Sequence, residues 1–220
     1  SRFDRDMLTW SPSVQAADDD LLPEKLIMDA RVRDMVRNDA YGQAGSDIYK
    51  DNIVGAMFML NAKPNHVALG LDETWSEEFQ EEVEAKFTLA AESPFNWLDA
   101  TRQNNFTAMV RLAVGIYQLA GEVLAYGDWI KEPGEKRPFK TAIQMIDLDR
   151  LSNPPNLPFN KRIRGGIEFD GRNRAIAYHI RKSRNSNDWF DPSAFTWERV
   201  PTRKSWGRQQ IIHIFEQFRP

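Results

Sequence analysis

Two histidines and two aspartates are the residues of this chain whose types could do acid–base or metal chemistry. His179 and His213 lie in two segments with the alternation or apolar run of strands, and Asp147 and Asp149 precede both. If the two strands belonged to one sheet, the histidines would approach each other and, with either aspartate, offer metal ligands or a general acid and base. A metal-dependent hydrolase is therefore one hypothesis. Ordinary strand histidines are the other, because the spacings match no metal-ligand motif and His66 lies in a separate loop.

Cationic and aromatic side chains are interleaved in the last quarter of the chain. Cations that contact phosphates and rings that stack on bases are the usual means of binding nucleic acid. A sheet with a basic outer face and tryptophans packed inside would show the same pattern, so both interpretations stand. The cations are Arg162, Arg164, Arg172, Arg174, Arg181, Lys182 and Arg184, and the tryptophans are Trp189, Trp197 and Trp206.

Four charged residues close together in the first predicted helix form a third constellation. They are Arg31, Arg33, Asp34 and Arg37, in which Asp34 stands three residues from Arg31 and three from Arg37. At that spacing side chains are neighbours on a helix, so Asp34 can be shared between two guanidinium groups. We predict a structural ion-pair network that joins the first helices to the sheet.

Composition and the lack of motifs restrict the chemistry further. The 220 residues are 41% hydrophobic and 28% charged, as in soluble globular proteins, and hold no run of eighteen apolar residues. With zero cysteines there is no disulfide, thiolate nucleophile or cysteine-based zinc site. Phosphate-binding glycine loops, H-E-x-x-H and G-x-S-x-G are all missing, so we predict no catalytic residue, no metal and no cofactor. No secretory signal is visible, and a first residue other than Met suggests that the natural chain begins upstream.

The net charge of −3 conceals an asymmetry between the two parts of the chain. Residues 1–159 carry 16 Lys/Arg and 26 Asp/Glu, a net of −10, whereas residues 160–220 carry 13 and 6, a net of +7. Unlike surfaces on one chain favour head-to-tail self-association or a basic face turned toward an anion. Two solvated surfaces would have the same composition.

Hydrophobic periodicity predicts four helices before residue 120. The first runs to about Asn38, with Leu21, Met28, Val32 and Met35 on an apolar stripe flanked by Leu22 and Leu26. The second covers 40–54, with Tyr41, Ala44 and Ile48 on one face. The third covers 75–91 and begins with a capping box from Thr74 to Glu77; its glutamates are predicted to form a wet face. The fourth covers 105–120 and ends at Gly121.

Strands dominate the rest of the chain. Met57 to Leu60 is predicted to be an isolated short strand, and 122–130 and 139–145 a hairpin. Ile167 and Phe169, the turn residues 170–173, and then Ile176, Tyr178 and Ile180 predict a second hairpin with one buried face. The apolar run 210–215 predicts a third strand beside this hairpin, covered on both faces. The fold class is therefore α+β: a helical portion, 1–120, packed on a mainly antiparallel β-rich portion, 121–220.

Several segments in series resemble one protein family, the portal proteins of lambda-like tailed phages. The resemblance is carried, in the family's order and spacing, by Asp29–Asp39 (DARVRDMVRND), Asp51–Gly55 (DNIVG), Gly121–Ala125 (GEVLA), Ile146–Ser152 (IDLDRLS) with Pro154, Gly165–Asp170 (GGIEFD) through Ala177–Ile180 (AYHI), Arg199–Pro201 (RVP), and Gly207-Arg208 with Ile212–Pro220 (IHIFEQFRP).

The resemblance implies a structural protein and not an enzyme. Portal subunits form a dodecameric ring at one capsid vertex; double-stranded DNA enters through its channel, driven by a separate terminase motor, and later leaves past a head–tail adaptor. The implied partners are thus further copies of the chain, capsid protein, terminase, adaptor and DNA, without a membrane. The implied locations are the virion and, during assembly, the bacterial host cytoplasm.

The resemblance also implies that the chain is one piece of a longer subunit. Family members continue past the Arg-Pro pair with the channel-lining helix and the clip, so the 220 residues correspond to the outer, wing-like region. We predict that the basic segment 160–208 pairs neighbouring subunits or faces DNA. A monomeric nucleic-acid-binding module remains the alternative.

Overall fold

The structure, a computed structural model, describes residues 16–157, 162–183 and 195–217. The first half is helical and the second half consists of antiparallel strands, so the predicted α+β class is confirmed. The helices are α1 (Ala17–Asn38), α2 (Ala40–Val54), α3 (His66–Leu69), α4 (Glu73–Ala91) and α5 (Phe106–Ala120). None of the helices in the described ranges has the length and hydropathy that a membrane span requires.

The strands form two antiparallel sheets. They are β1 (Glu122–Trp129), β2 (Thr141–Ile146), β3 (Ile163–Arg164), β4 (Ile167–Phe169), β5 (Ala175–Arg181), β6 (Trp197–Pro201) and β7 (Ile211–Phe215). One sheet has the order β2-β1-β7 and the other β3-β4-β5-β6. A 3₁₀ turn, Leu148–Arg150, follows β2. Two consecutive strands, β6 and β7, therefore belong to different sheets.

A single residue, Asp39, separates α1 from α2. Its extended backbone ends α1, and its carboxylate accepts hydrogen bonds from the backbone N–H groups of Tyr41 and Gly42, which caps α2. Gly55, with a φ of 68°, ends α2 in a conformation that side chains with a Cβ rarely adopt. Both predicted helix ranges are confirmed.

The predicted apolar faces of α1 and α2 are exposed instead of buried, except at Val32. The side of α1 that faces the body carries Lys25, Asp29, Val32 and Val36, spaced by four, three and four residues. The apolar side chains point outward instead: Leu21, Leu22, Leu26, Ile27, Met28 and Met35 on α1, and Tyr41, Ile48 and Ile53 on α2, are all exposed. A polar stripe can face inward here because Lys25 and Asp29 form ion pairs, which are described below.

The predicted strand at Met57–Leu60 is also wrong, since this segment has no regular secondary structure and pairs with no strand in the described residues. Its backbone is held by side chains: Phe58 N–H donates to Thr107 Oγ1 at 3.0 Å and Ala62 N–H to Glu84 Oε1 at 2.9 Å. Glu84 is thus half-buried and engaged, so it does not belong to the wet face predicted for this helix.

The third and fourth predicted helices are confirmed as α4 and α5, with one correction. Asp72, not the predicted capping box at Thr74, caps α4 by accepting from Trp75 N–H at 2.9 Å. Trp75 and Phe79 stack with ring centroids 5.1 Å apart, one turn along the helix. At the end of α5, Gly121 adopts a left-handed conformation with φ 73° and turns the chain directly into β1.

The two predicted hairpins are confirmed as β1–β2 and β4–β5. In the second, Asp170 closes the turn: its carboxylate accepts from the N–H groups of Arg172 and Arg174 at 2.8 and 2.9 Å. The prediction of a single buried face is wrong for β5, where four consecutive residues, 177–180, are buried. β5 is a central strand: Tyr178 and Ile180 pack in the hydrophobic core, whereas His179 on the opposite face lies against Glu168 of β4.

The third predicted strand exists, but its partner and burial were predicted wrongly. β7 pairs with β1, antiparallel, and forms an edge of the three-stranded sheet. Ile212 is 42% exposed and Ile214 53%, because nothing in the described residues covers that side of the edge strand. The apolar run therefore predicted the strand correctly but did not show which of its faces is buried.

The hydrophobic core lies where the two sheets meet. Leu124 of β1 and Ile211 of β7 pack with Tyr178 and Ile180 of β5 and with Val200 of β6. α5 closes this core from the helical side through Ile116 and Ala120. The core therefore ties together segments from opposite ends of the chain, and the charged residues described next surround it.

Candidate functional site

A chain of polar side chains runs from α1 through β1 and β7 to β5. Lys25 Nζ lies 2.8 Å from Asp29 Oδ2 and 3.0 Å from Glu122 Oε1. The other carboxylate oxygen of Glu122 lies 2.8 Å from His213 Nε2, and His213 Nδ1 lies 3.2 Å from the hydroxyl of Tyr178. We call these five residues the polar relay; it connects the first helix to both sheets.

The relay fixes the tautomer of its histidine. An ionised carboxylate can only accept, so His213 Nε2 carries the proton that Glu122 receives as a hydrogen bond. Nδ1 of the neutral ring is then left to accept from the Tyr178 hydroxyl. Every polar atom of this buried ring has a partner, which is the condition for a polar group to be tolerated in a core.

Burial and charge shift the pKa values within the relay. Burial raises the pKa of Glu122, but the hydrogen bond from His213 and the charge of Lys25 outweigh it, and the net pKa lies below the ordinary 4.5. Burial lowers the pKa of Lys25, and Asp29 and Glu122 more than compensate, so that it is raised. Burial, with the nearby Glu122 carboxylate, raises the pKa of Tyr178 to about 12. The relay thus contains a charged lysine–carboxylate pair and a neutral tyrosine. It holds the first helix against the two sheets and does not act as a proton donor near neutral pH.

The predicted ion-pair constellation on α1 divides into two separate contacts. Arg33 makes a two-pronged bond to Asp149 of the 3₁₀ turn, with N···O distances of 2.6 and 2.7 Å, and so joins α1 to the sheet region. Asp34 instead accepts from Arg37 at 2.8 Å and from Asn38 at 2.7 Å, all on the exposed helix surface. Arg31 is exposed on the same helix and contributes no ion pair to Asp34 within the described residues.

Three of the predicted basic residues are engaged within the chain. Arg164 pairs with Asp18 at 3.0 Å and lies over the Phe169 ring. Arg174 pairs with Asp170 at 2.7 Å across its own turn. Arg181 donates to the backbone oxygen of Asp149 at 3.1 Å. These side chains hold local structure together, although that of Arg174 is 72% exposed.

The remaining basic residues lie on the surface or outside the described ranges. Arg162, Arg172 and Lys182 are exposed, and Arg172 stands in the turn between β4 and β5. Arg184 and Trp189 fall outside the residues that the structure describes. Trp197 is half-buried and donates through its indole N–H to Ser152 Oγ at 3.0 Å. Trp206 is 71% exposed.

The four residues proposed for a metal site are not brought together. His179 and His213 lie in different sheets. His179 Nε2 faces Glu168 at 3.4 Å, and Arg199 binds Glu168 in a two-pronged contact. The hydrogen bond from Arg199, with the contribution of His179, outweighs the effect of burial and leaves the pKa of Glu168 lowered. Asp147 caps the 3₁₀ turn, and Asp149 binds Arg33, whose hydrogen bond lowers its pKa. In residues 16–157, 162–183 and 195–217, no three acidic or histidine side chains converge as metal ligands.

A cavity of about 450 Å³ lies between α5 and the edge strand β2. Its floor is apolar, with Met109, Ile116 and Met145. Asp99 lines it, but both oxygens of that carboxylate are occupied by hydrogen bonds from Thr101, Gln103 and Asn104. A carboxylate held this way organises its loop and is not free to act as a base.

Sequence reasoning missed Glu122, at the centre of the polar relay, and Asp99, which organises the loop before α5. Glu122 stands at the start of a strand beside the helix-ending Gly121, where an acid is unremarkable. The signal for Asp99 was present, since Asp followed by Thr and Asn is a turn-forming sequence that satisfies backbone N–H groups. For Glu122 no local signal exists, because its partner His213 lies 91 residues away.

Comparison with known proteins decides the family. The model of the lambda family of phage portal proteins matches residues 3–220. The chain belongs to this portal family. It is 32% identical over 208 residues, 94% of its length, to a protein named portal protein from Escherichia phage N15. It is 31% identical over 216 residues, 98% of its length, to portal protein B of Escherichia phage lambda.

The portal family match concerns one part of longer proteins. The chain spans 38% of the N15 protein and 39% of the lambda protein. The resemblance stated from the sequence motifs is confirmed over nearly the whole chain.

Proposed function

We propose that the chain is part of a structural subunit of a phage portal ring, the channel at one capsid vertex through which double-stranded DNA is packaged and ejected. The observation that carries this proposal is the portal-family match over residues 3–220. Enzymatic activity is not part of the proposal. The described residues support this, because Asp149 and His213 join separate elements through Arg33 and Glu122, and Asp147 caps the 3₁₀ turn.

Within such a subunit, we assign the 220 residues to the outer, wing-like region. The helical portion 1–120 and the β-rich portion 121–220 would act as one unit, since the polar relay and the Arg33–Asp149 pair connect them. The channel-lining helix and the clip would come from residues outside this chain. Contacts with terminase, capsid protein and the head–tail adaptor would then be made by the full-length subunit in the virion, and during assembly in the host cytoplasm.

We also propose that the basic segment 160–208 contacts a neighbouring subunit or DNA. The structure indicates which of its residues are suitable for mutation. Arg172 is exposed, so reversing its charge changes the surface with little effect on the fold. Arg174 neutralises Asp170 and is a poorer choice, because its loss disturbs the turn. Arg172→Glu is expected to weaken ring assembly or DNA retention, and assembly and packaging equal to wild type would contradict a role for this residue.

Ring formation is the experiment that tests the proposed function. The full-length protein is purified and its mass measured in solution, with negative-stain imaging of the same sample. Closed rings of about twelve subunits are expected. A full-length protein that stays monomeric over a wide concentration range and shows no annular particles would overturn the proposal. The 220-residue chain serves only as a comparison, because ring contacts can also come from the rest of the subunit.

A further inference from the structure

An exposed tryptophan stands at the tip of a rigid basic turn between β6 and β7. Residues 203–208 read RKSWGR, three cations and no acid, and Trp206 is 71% exposed. Lys204 N–H donates to Arg208 O at 2.8 Å and Gly207 N–H to Lys204 O at 2.9 Å, with Gly207 at φ 91°. Arg203 also donates to Gly207 O at 3.2 Å. We call residues 203–208 the Trp206 turn; its backbone is fixed, so the indole is presented and not merely loose.

A groove of matching character lies at the carboxyl end of α4, with a volume of about 330 Å³. Its lining is mostly apolar, and two of its side chains are strongly exposed, Leu89 at 62% and Phe95 at 64%. The volume is at the lower end of the range for clefts that hold a bound group, about 300–1,000 Å³. We call it the α4 groove; it is lined by Leu89, Glu92, Pro94, Phe95, Trp97 and Pro138.

The two surfaces are also complementary in charge. Leu89 shares one exposed face of α4 with Ala85, Glu81 and Glu78, at spacings of four, four and three residues. Trp97 has two guanidinium groups over its ring, but the acids Glu132 and Glu135 pair with them. The approach to the groove is therefore acidic, and the Trp206 turn is basic.

Both surfaces are exposed in the same chain, so they do not satisfy each other within one subunit. We propose that the Trp206 turn of one copy docks in the α4 groove of the next copy, an inference that rests on the proposed function. Because the Trp206 turn and the α4 groove lie on different parts of one chain, their contact is head-to-tail, the type that generates rings. Tryptophan and arginine are the residue types that most often dominate such contacts.

The cysteine-free chain allows a direct test by cross-linking. Leu89→Cys and Ser205→Cys, an exposed position that leaves Trp206 in place, are introduced together in the full-length protein, after any cysteine outside these 220 residues is replaced by serine. Air oxidation and, separately, a flexible bis-maleimide are applied to the assembled sample. Because each subunit then carries both halves of the contact, a ladder of covalent oligomers extending beyond the dimer is expected on a denaturing gel.

The single-cysteine variants are the matched controls, since one thiol per subunit can give no more than a dimer. A mixture of the two single variants should yield the mixed dimer. Trp206→Ala should weaken assembly on the order of 30-fold, the effect of removing a dominant interface residue. Tyr41→Ala, which removes an exposed aromatic side chain from α2, should change assembly much less.

The outcomes separate this inference from the proposed function. Rings without any ladder, with either reagent, would overturn the docking of Trp206 in the α4 groove and leave the portal assignment standing. Absence of rings in the wild-type protein would overturn the portal assignment itself. If Trp206→Ala left assembly unchanged but reduced the salt-sensitive binding of duplex DNA, the turn would be a nucleic-acid contact and the inference would be wrong.

Discussion

His213 of β7 and Glu122 of β1 lie 2.8 Å apart across the ladder that joins the last strand to the first. The contact is buried on the histidine side, and the same carboxylate also receives Lys25 from α1. One side chain therefore holds three elements that are far apart in the sequence.

Replacing Glu122 should destabilise the protein more than removing a surface carboxylate. Glu122→Gln keeps the size of the side chain but leaves Lys25 with one partner and His213 without its charged acceptor. The expected loss is about 1–3 kcal/mol, the usual cost of leaving buried polar groups poorly paired. Urea unfolding followed by circular dichroism measures it. Glu82→Gln, which removes an exposed pair with Lys86 on α4, should leave the midpoint unchanged.

The lowered pKa of Glu122 predicts an acid-dependent loss of stability. A carboxyl group with a folded pKa below its unfolded value stabilises the fold above the unfolded pKa, near 4.5, and loses that contribution as the pH falls through the folded pKa. Unfolding free energies of wild type and Glu122→Gln should therefore converge below pH 4. Parallel curves down to pH 3 would contradict the assignment.

The raised pKa of Tyr178 predicts a matching loss on the alkaline side. Its folded pKa of about 12 exceeds the ordinary 10.0, so its contribution is intact below pH 10 and is lost as the pH rises toward 12. Ultraviolet titration of phenolate should show one of the five tyrosines ionising late in the folded protein. In Tyr178→Phe that late step should be missing while the other four remain.

The Arg33–Asp149 and Asp34–Arg37 pairs offer a matched comparison of two ion pairs that share one helix. Side chains of the first pair are 42% and 37% exposed and meet across 116 residues, whereas those of the second are 74% and 61% exposed and meet within one turn. After screening by solvent, a double-mutant cycle should give about 0.5–1 kcal/mol of coupling for Arg33 with Asp149. The second pair should give close to none. Equal coupling would mean that Arg33 does not fasten α1 to the sheet.

Gly166 should be intolerant of any side chain. A Cβ there would lie 2.6 Å from the backbone nitrogen of Ser152, and the residue has a φ of 82°. Gly166→Ala should cost about 2 kcal/mol or more, since both a backbone clash and a strained conformation are added. Gly171→Ala is the control, because nothing lies within 4 Å of its added methyl group. Thermal unfolding of both variants distinguishes them.

Local patterns predicted the elements of this fold well where the signal was itself local. α5 and its end at Gly121, and the Asp170 turn of the β4–β5 hairpin, follow from capping and turn residues close in sequence. The orientation of a helix was harder to predict. An apolar stripe shows that the helix is amphipathic, but not which of its faces packs against the rest of the protein. On α1 the charges of Lys25 and Asp29 decided that orientation, through a partner in β1.

The candidate site was less predictable for a related reason. The hydrolase hypothesis placed His179 and His213 in one sheet, and the true assignment depends on β7 leaving the neighbourhood of β6 to join β1. No short-range pattern specifies that exchange of sheets. Motif resemblance succeeded where geometry failed, because it uses the order of many short segments and needs no knowledge of which strands pair.

The pairing of β1 with β7 also constrains how the polypeptide is made. Strand β1 leaves the ribosome about ninety residues before its partner does, at translation rates of about 5–20 residues per second. For those several seconds the nascent chain holds β1 with its β7-facing edge open, exposed to chaperones and to other nascent chains. A messenger truncated before codon 211 would yield a product with that edge permanently unpaired, which we expect to be recovered in inclusion bodies.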